Sequence, residues 1–175
     1  IDDPEALYAA LKRVEVLLPA DWNTRTTWDA VAAELATEDC VLAIVNTRKA
    51  ARELLRLMPK GTIHLSALMC GAHRADVIQQ IKQRLKARRE GLMTEPLRVV
   101  STQLVEAGVD LDFPVVWRAL AGLDSIAQAA GRCNREGKLV IADAIVQLFE
   151  VDGWNSIREL RPNEAAAREV LRRHS

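Results

Sequence analysis

Ser-Thr-Gln-Leu-Val-Glu-Ala-Gly-Val-Asp-Leu-Asp-Phe-Pro at residues 101–114 and Ser-Ile-Ala-Gln-Ala-Ala-Gly-Arg-Cys-Asn-Arg-Glu-Gly at residues 125–137 decide how this chain is read. Gly108 stands two residues before Asp110, just after the apolar positions Leu97, Val99 and Val100. A glycine there lets the backbone come close to a ligand, and an acidic side chain beside it can hold a ribose hydroxyl. Arg132 and Arg135 are three apart and follow Gln128 and Gly131. A helix running on through them predicts both guanidinium groups on one face, converging on one anion. Paired arginines of this kind neutralise charge on a breaking phosphate bond. The ordinary alternative for an arginine pair is a solvated helix face.

Around this stretch the chain alternates between two periodicities. Val41-Leu42-Ala43-Ile44-Val45 is a continuous apolar run, as expected of a strand buried on both faces. It ends in Asn46-Thr47-Arg48, and Ala50, Leu54, Leu55 and Met58 then mark a helix. Strand, polar turn and helix make the unit that sets ligands at the carboxyl ends of strands. Ile63-His64-Leu65 is a short strand leading to Ser66. A helix over about 72–89 carries Val77, Ile78, Ile81 and Leu85 on one face and Lys82, Lys86 and Arg89 on another. Such a basic stripe is usually just solvated, and contact with a nucleic-acid backbone is the sharper alternative. Residues 97–101, 113–118 and 144–151 read as further strands, and Asp124 or Ser125 is placed to cap the helix before the arginines.

The ends are plainer. Pro4, Leu7 and Leu11 suit a short helix over residues 4–12. Val14, Val16 and Leu18 suit a strand ending at Pro19, with a longer helix as the competing assignment. Thr27 can cap a helix carrying Val31 and Leu35, while Trp22 and Trp28 are expected to pack. Asn163 is expected to cap a final helix ending near Arg173. Strands alternating with helices predict a three-layer α/β/α domain with a mainly parallel sheet and right-handed crossovers. The expected domain is residues 1–175, with a core over about 13–151.

Composition sets the outer limits. A chain of 175 residues with 49% hydrophobic and 27% charged residues suits one globular domain. Its net charge of zero gives no general attraction to nucleic acid, so such binding needs a local patch. No apolar run approaches the roughly 20 residues of a membrane span. The first residues are acidic, unlike a signal peptide, and starting at Ile1 suggests a piece of a longer protein. Cys40, Cys70 and Cys133 lie far apart and form no Cys-x-x-Cys pair, which fits reduced thiols in a cytoplasm. His64, His73 and His174 form no metal-ligand pattern, so no metal site is expected.

Gln128-x-x-Gly131-Arg132-x-x-Arg135 resembles motif VI of superfamily 2 helicases, and Thr102 through Asp110 resembles motif V of the same enzymes. In wording, both stretches look like the CRISPR-associated helicase–nuclease of type I systems, and Asn46-Thr47-Arg48 and residues 64–74 are similar to that family too. The likeness covers roughly residues 40–150. It implies a second RecA-like domain. Arg132 and Arg135 would be arginine fingers, and Gln128 would orient the attacking water or the γ-phosphate. Gly108, Asp110 and Gly131 would line the ATP side of the cleft. Asn46, Thr47, Ser66, Arg74, Thr102 and Glu106 would lie along a single-stranded DNA track. For Ser66 and Thr47, helix capping is an equal alternative.

The resemblance further implies ATP with magnesium as cofactor, held mainly by a first RecA-like domain outside this chain. Its partners would be single-stranded DNA, that first domain, a nuclease domain and a CRISPR RNA-guided surveillance complex, in a prokaryotic cytoplasm. The phosphate-cradling Gly-x-x-x-x-Gly-Lys-Ser/Thr loop is absent here: Gly137-Lys138 has the dipeptide, but Leu139 follows it. Another superfamily 2 helicase, or a binding module of the same fold without catalysis, remains compatible with these residues.

Overall fold

The computed structural model describes residue 3 and residues 9–106, 108–153 and 158–173. Most of the helix expected over residues 4–12 lies outside the described residues. Six strands follow the expected alternation: β1 (Glu15–Leu17), β2 (Cys40–Val45), β3 (Ile63–Leu65), β4 (Leu97–Thr102), β5 (Val115–Ala119) and β6 (Ile145–Phe149). They form one sheet in the order β1-β6-β5-β2-β4-β3, and every pairing is parallel. The helices are α1 (Trp28–Thr37), α2 (Arg48–Leu57), α3 (Gly71–Arg89), α4 (Leu123–Ala130) and α5 (Arg161–Arg173).

The central strand shows why the domain has three layers. Successive side chains of a strand point to opposite faces. Leu42 and Ile44 of β2 pack with Ile81 and Leu85 of α3, Ile126 and Ala129 of α4, and Ala167 of α5. Val41, Ala43 and Val45 pack instead with Trp28, Val31 and Leu35 of α1 and with Ala51 and Leu54 of α2. Both faces of β2 are buried, which is why its sequence reads as an unbroken apolar run. Trp28 meets Phe149 edge-on, with ring centroids 6.3 Å apart, so this tryptophan is a packing residue.

Helix starts follow the side chains available. The Thr27 hydroxyl accepts from the Ala30 N–H at 3.2 Å and opens α1, and the Thr47 hydroxyl accepts from the Ala50 N–H at 3.0 Å and opens α2. α4 departs from expectation. It begins after Gly122, and neither Asp124 nor Ser125 caps it. A Cβ at Gly122 would lie 2.5 Å from Asp124 Oδ1 and 3.2 Å from Asn163 Cβ, so close approach of α5 selects the glycine. α5 is likewise not capped by Asn163. It starts at Arg161, directly after a 3-10 turn over Arg158–Leu160, and Asn163 falls inside its first turn. The last strand, Ile145–Phe149, is shorter than residues 144–151 because a 3-10 turn over Ile141–Asp143 precedes it and Val151 makes only an isolated bridge to Thr26.

Leu42 has no exposed surface. Leu42→Ala is expected to cost about 2–5 kcal/mol through lost burial and the cavity left behind, read as a lower urea midpoint at unchanged slope. His64 in β3 has its Nε2 buried without a hydrogen-bond partner, and desolvation, with Arg52 adding, holds its pKa below the ordinary 6.5. Below that value the unfolded chain takes up the proton before the folded chain does, so stability falls as pH drops through the window. His64→Gln is expected to flatten this part of the melting-temperature profile between about pH 7 and 5; an unchanged profile would contradict it.

Candidate functional site

Because all six strands run the same way, the residues that follow β2, β3 and β4 collect at one edge of the sheet. Asn46 and Thr47 follow β2, Ser66 follows β3, and Thr102 closes β4. The expected track residues are therefore brought together, but many of their side chains already have work. Thr47 Oγ1 caps α2. Asn46 Nδ2 donates to Leu120 O at 2.6 Å and to Glu164 Oε1 at 3.0 Å. Ser66 and Thr102 are buried, and Ser66 does not cap α3, whose first residue follows Cys70. Ser101 Oγ, also buried, donates toward Leu65 O and Thr102 O, both at 2.9 Å, tying the ends of β3 and β4 together.

Glu106 is placed inside rather than along an exposed track. Its carboxylate lies 2.8 Å from the guanidinium Nε of Arg118, a β5 residue whose side chain has no exposed surface. This is a charge contact outside hydrogen-bond alignment, and Arg118 Nη2 also lacks a hydrogen-bond partner. Arg118 Nη1 donates to Asn46 Oδ1 at 2.6 Å and to Ala119 O at 2.7 Å. Desolvation raises the Glu106 pKa against the pull of Arg118, and desolvation lowers the Arg118 pKa against the pull of Glu106 and Glu164. The strand expected over residues 113–118 gives Arg118 no role of its own. The available signal was a charged residue inside Val-Val-Trp-Arg-Ala, a run that must be buried on both faces.

The arginine pair is built differently from the expected continuous helix. α4 ends at Ala130, with Gly131 as its cap, and Arg132 and Arg135 lie in the turn beyond. The reason is a competing set of backbone bonds. The Phe113 N–H donates to Arg132 O at 2.8 Å and the Asn134 N–H to Phe113 O at 3.1 Å. Asn134 is buried at φ 46, a left-handed conformation that asparagine tolerates, and its side chain bonds Arg13 O, Leu139 O and the Leu139 N–H. The Arg135 N–H donates to Asp112 Oδ1 at 2.7 Å.

From this fixed turn the two guanidiniums reach the segment after β4. Arg132 Nε donates to Val105 O at 2.7 Å and Nη2 to Glu106 O at 2.8 Å. Arg135 Nη1 pairs with Asp110 Oδ1 at 2.8 Å. Desolvation, then the like charge of Arg135, lowers the Arg132 pKa, while Asp110 opposes the shift. Arg135 thus pairs with Asp110 while Arg132 holds the carbonyls of Val105 and Glu106, and it is a turn instead of a helix face that places them. Gly108 has φ +72 with open space around it, so its glycine is required by backbone conformation rather than by crowding. Gln128 is exposed on α4 and Arg74 is half-buried in the first turn of α3, and among the described residues neither is bonded to these groups. The basic stripe of α3 is mostly answered locally, by Lys86–Glu90 at 3.8 Å and by Arg89 with Asp112 at 3.6 Å and Glu136 at 3.0 Å. Among the described residues no group of three or more His, Cys, Asp or Glu could hold a metal ion.

A single all-parallel sheet covered by helices on both faces is the fold of RecA-like helicase C-terminal domains. Residues 37–138 match the family described as CRISPR-associated nuclease/helicase Cas3, C-terminal, and the chain belongs to that family. The CRISPR-associated nuclease/helicase Cas3 of Haloferax volcanii is 62% identical over 40 residues, 23% of this chain and 4% of that protein. The crystal structure of T. fusca Cas3 with AMPPNP superposes with a TM-score of 0.69 at 21% identity, over 94% of this chain and 22% of that one. Mycobacterium smegmatis helicase Lhr bound to single-stranded DNA and AMP-PNP gives 0.54 at 18% identity, over 79% of this chain and 20% of that one. The chain therefore spans under a quarter of the length of each of these relatives.

Arg132 and Arg135 are expected to differ in stability cost. Arg132→Ala removes two charge-assisted bonds to carbonyls and should cost roughly 1.5–3 kcal/mol. Arg135→Ala loses an exposed pair and should cost about 1 kcal/mol or less. Urea melts of the two variants check the order, and equal costs would contradict a structural role for the two Arg132 bonds.

Proposed function

We propose that this chain is the ATP-responsive second RecA-like half of a single-stranded DNA translocase acting in CRISPR interference. The observation that carries the reading is the arginine turn, in which Arg132 holds the carbonyls of Val105 and Glu106 and Arg135 pairs with Asp110, beside the left-handed Gly108. Two cations held next to each other disfavour one another, and a bound polyphosphate relieves that repulsion. Arg135 is the mobile finger, since its ion pair with Asp110 is exposed and its backbone is anchored. Arg132 clamps the loop that carries Gly108 and Asp110, so it sets where Arg135 can reach. Gln128, exposed at the end of α4, orients the attacking water, and Gly131 keeps that end of the helix free of a side chain.

ATP, when bound, supplies the phosphoryl transfer whose charge the arginines neutralise. These donors suit phosphate oxygens. In this reading magnesium and the phosphate loop would be supplied by a first RecA-like domain. Closure of the two domains strengthens the Arg135 contact, and hydrolysis releases it. On the strand-end side, the segments at Asn46, Thr47, Ser66, Thr102 and Glu106 contact DNA through backbone groups, since the Ser66 and Thr102 side chains are buried and the Thr47 hydroxyl caps α2; such contacts grip phosphates without reading bases. Arg74 lies at the margin of that track. The longer protein would then feed strands to a nuclease domain and be recruited by the RNA-guided surveillance complex, within a prokaryotic cytoplasm. No helix among the described residues is long and apolar enough to cross a membrane.

The test is steady-state ATP hydrolysis by the full-length protein with single-stranded DNA present. An arginine finger is worth about a thousand- to a hundred-thousand-fold in turnover, so Arg135→Ala should fall by that order while its melt stays near the unsubstituted value. Arg135→Lys should recover little, because a point charge lacks the planar two-pronged contact. Near-normal turnover in Arg135→Ala would return this arginine to an ordinary solvated ion pair.

A further inference from the structure

The proposed DNA side and the proposed nucleotide side meet at a residue that neither role explains. Arg118 is wholly buried at the end of β5, between the two. Toward the strand ends, its Nη1 holds the side-chain oxygen of Asn46, whose amide nitrogen reaches Leu120 O and Glu164 of α5. Toward the loop, its Nε meets the Glu106 carboxylate at 2.8 Å. The Glu106 carbonyl oxygen in turn accepts from Arg132, and Arg132 is held in the same turn as Arg135. An unbroken line of polar contacts therefore runs from α5 through Asn46, Arg118 and Glu106 to the arginine turn.

We propose that Arg118 is a positioning residue that couples nucleotide binding at the arginine turn to the grip on single-stranded DNA at Asn46 and Thr47. It rests on the function proposed above and assigns to this one side chain the transmission between the two faces of that site. The physical case has three parts. A cation without exposed surface is costly, so it persists only where its partners are fixed. Its planar fork contacts two elements at once, so a shift of the Glu106 loop moves the guanidinium and with it Asn46. Its Nη2 and Nε make no aligned hydrogen bond in this state, which leaves a second, better-satisfied arrangement open to it. Two packings of one buried group, favoured by different ligands, are what a coupling free energy needs. Glu164 places α5 in the same line, so α5 senses the state of Asn46.

The test measures binding of a fluorescent single-stranded oligodeoxythymidylate to the full-length protein, with and without a non-hydrolysable ATP analogue. In the unsubstituted protein the analogue is expected to change DNA affinity by about 5- to 150-fold. Arg118→Lys keeps a buried cation for Glu106, but a single ammonium cannot span Glu106, Asn46 and Ala119 O together. It should bring the ratio close to one while analogue affinity and DNA affinity without nucleotide change little, even though the lost Asn46 and Ala119 contacts lower the melt. Arg118→Met removes the fork entirely and should show the same collapsed ratio in whatever fraction is folded. A ratio unchanged in Arg118→Lys overturns the proposal and leaves the function untouched. Parallel weakening of both ligands with a lower melt marks a purely structural residue and also overturns it. If the unsubstituted protein shows no effect of analogue on DNA affinity, the site reading itself fails and this coupling falls with it.

Discussion

A guanidinium with no exposed surface, held between a buried carboxylate and an asparagine, sets the shape of this domain's working edge. A buried charge is tolerated only with its partners in place, and removing one partner of such a pair typically costs about 3–5 kcal/mol. Arg118 thereby ties together three chain segments that the sheet alone would leave independent: the end of β2 at Asn46, the end of β5, and the loop after β4 at Glu106. Apolar packing on the two faces of the sheet holds the strands. It does not orient the loops beyond them, and the polar line through Arg118 does.

The second constraint is the turn after α4. A helix continuing through Arg135 would have aimed both arginines outward as equals. The backbone bonds between Phe113, Arg132 and Asn134 end the helix and make the arginines unequal. One is spent on the carbonyls of Val105 and Glu106, and the other stays half-exposed on Asp110. The two arginines thus have different partners within one short motif. Arg132 also ties the arginine turn to the Glu106 loop.

Much of this was legible in the residues. The apolar run of β2, the alternation of strands and helices, and the Thr27 and Thr47 caps all rest on local rules, and each appears as read. The grouping of Asn46, Ser66 and Thr102 at one edge follows from the parallel direction of the strands, whereas the strand order does not. What local rules missed depended on distant partners. Glu106 reads as an exposed polar residue until Arg118, twelve positions on, is known to be buried beside it. Asp124 and Asn163 are good capping types, yet the tight approach at Gly122 put the start of α4 elsewhere and a 3-10 turn put the start of α5 earlier. The end of α4 was within reach, since a glycine after the last apolar position is a stop signal. The Arg132–Arg135 spacing suggested continuity and outweighed it.

The central claim is that Arg135 trades Asp110 for a nucleotide phosphate when the domain works with its companion. A structure of the full-length protein trapped with ADP and a planar phosphate mimic measures this directly. The account predicts an Arg135 terminal nitrogen at about 2.7–2.9 Å from the mimic, with the Asp110 pair broken and Arg132 still on the Val105 and Glu106 carbonyls. Arg135 remaining on Asp110, with the mimic neutralised by other residues, would contradict it.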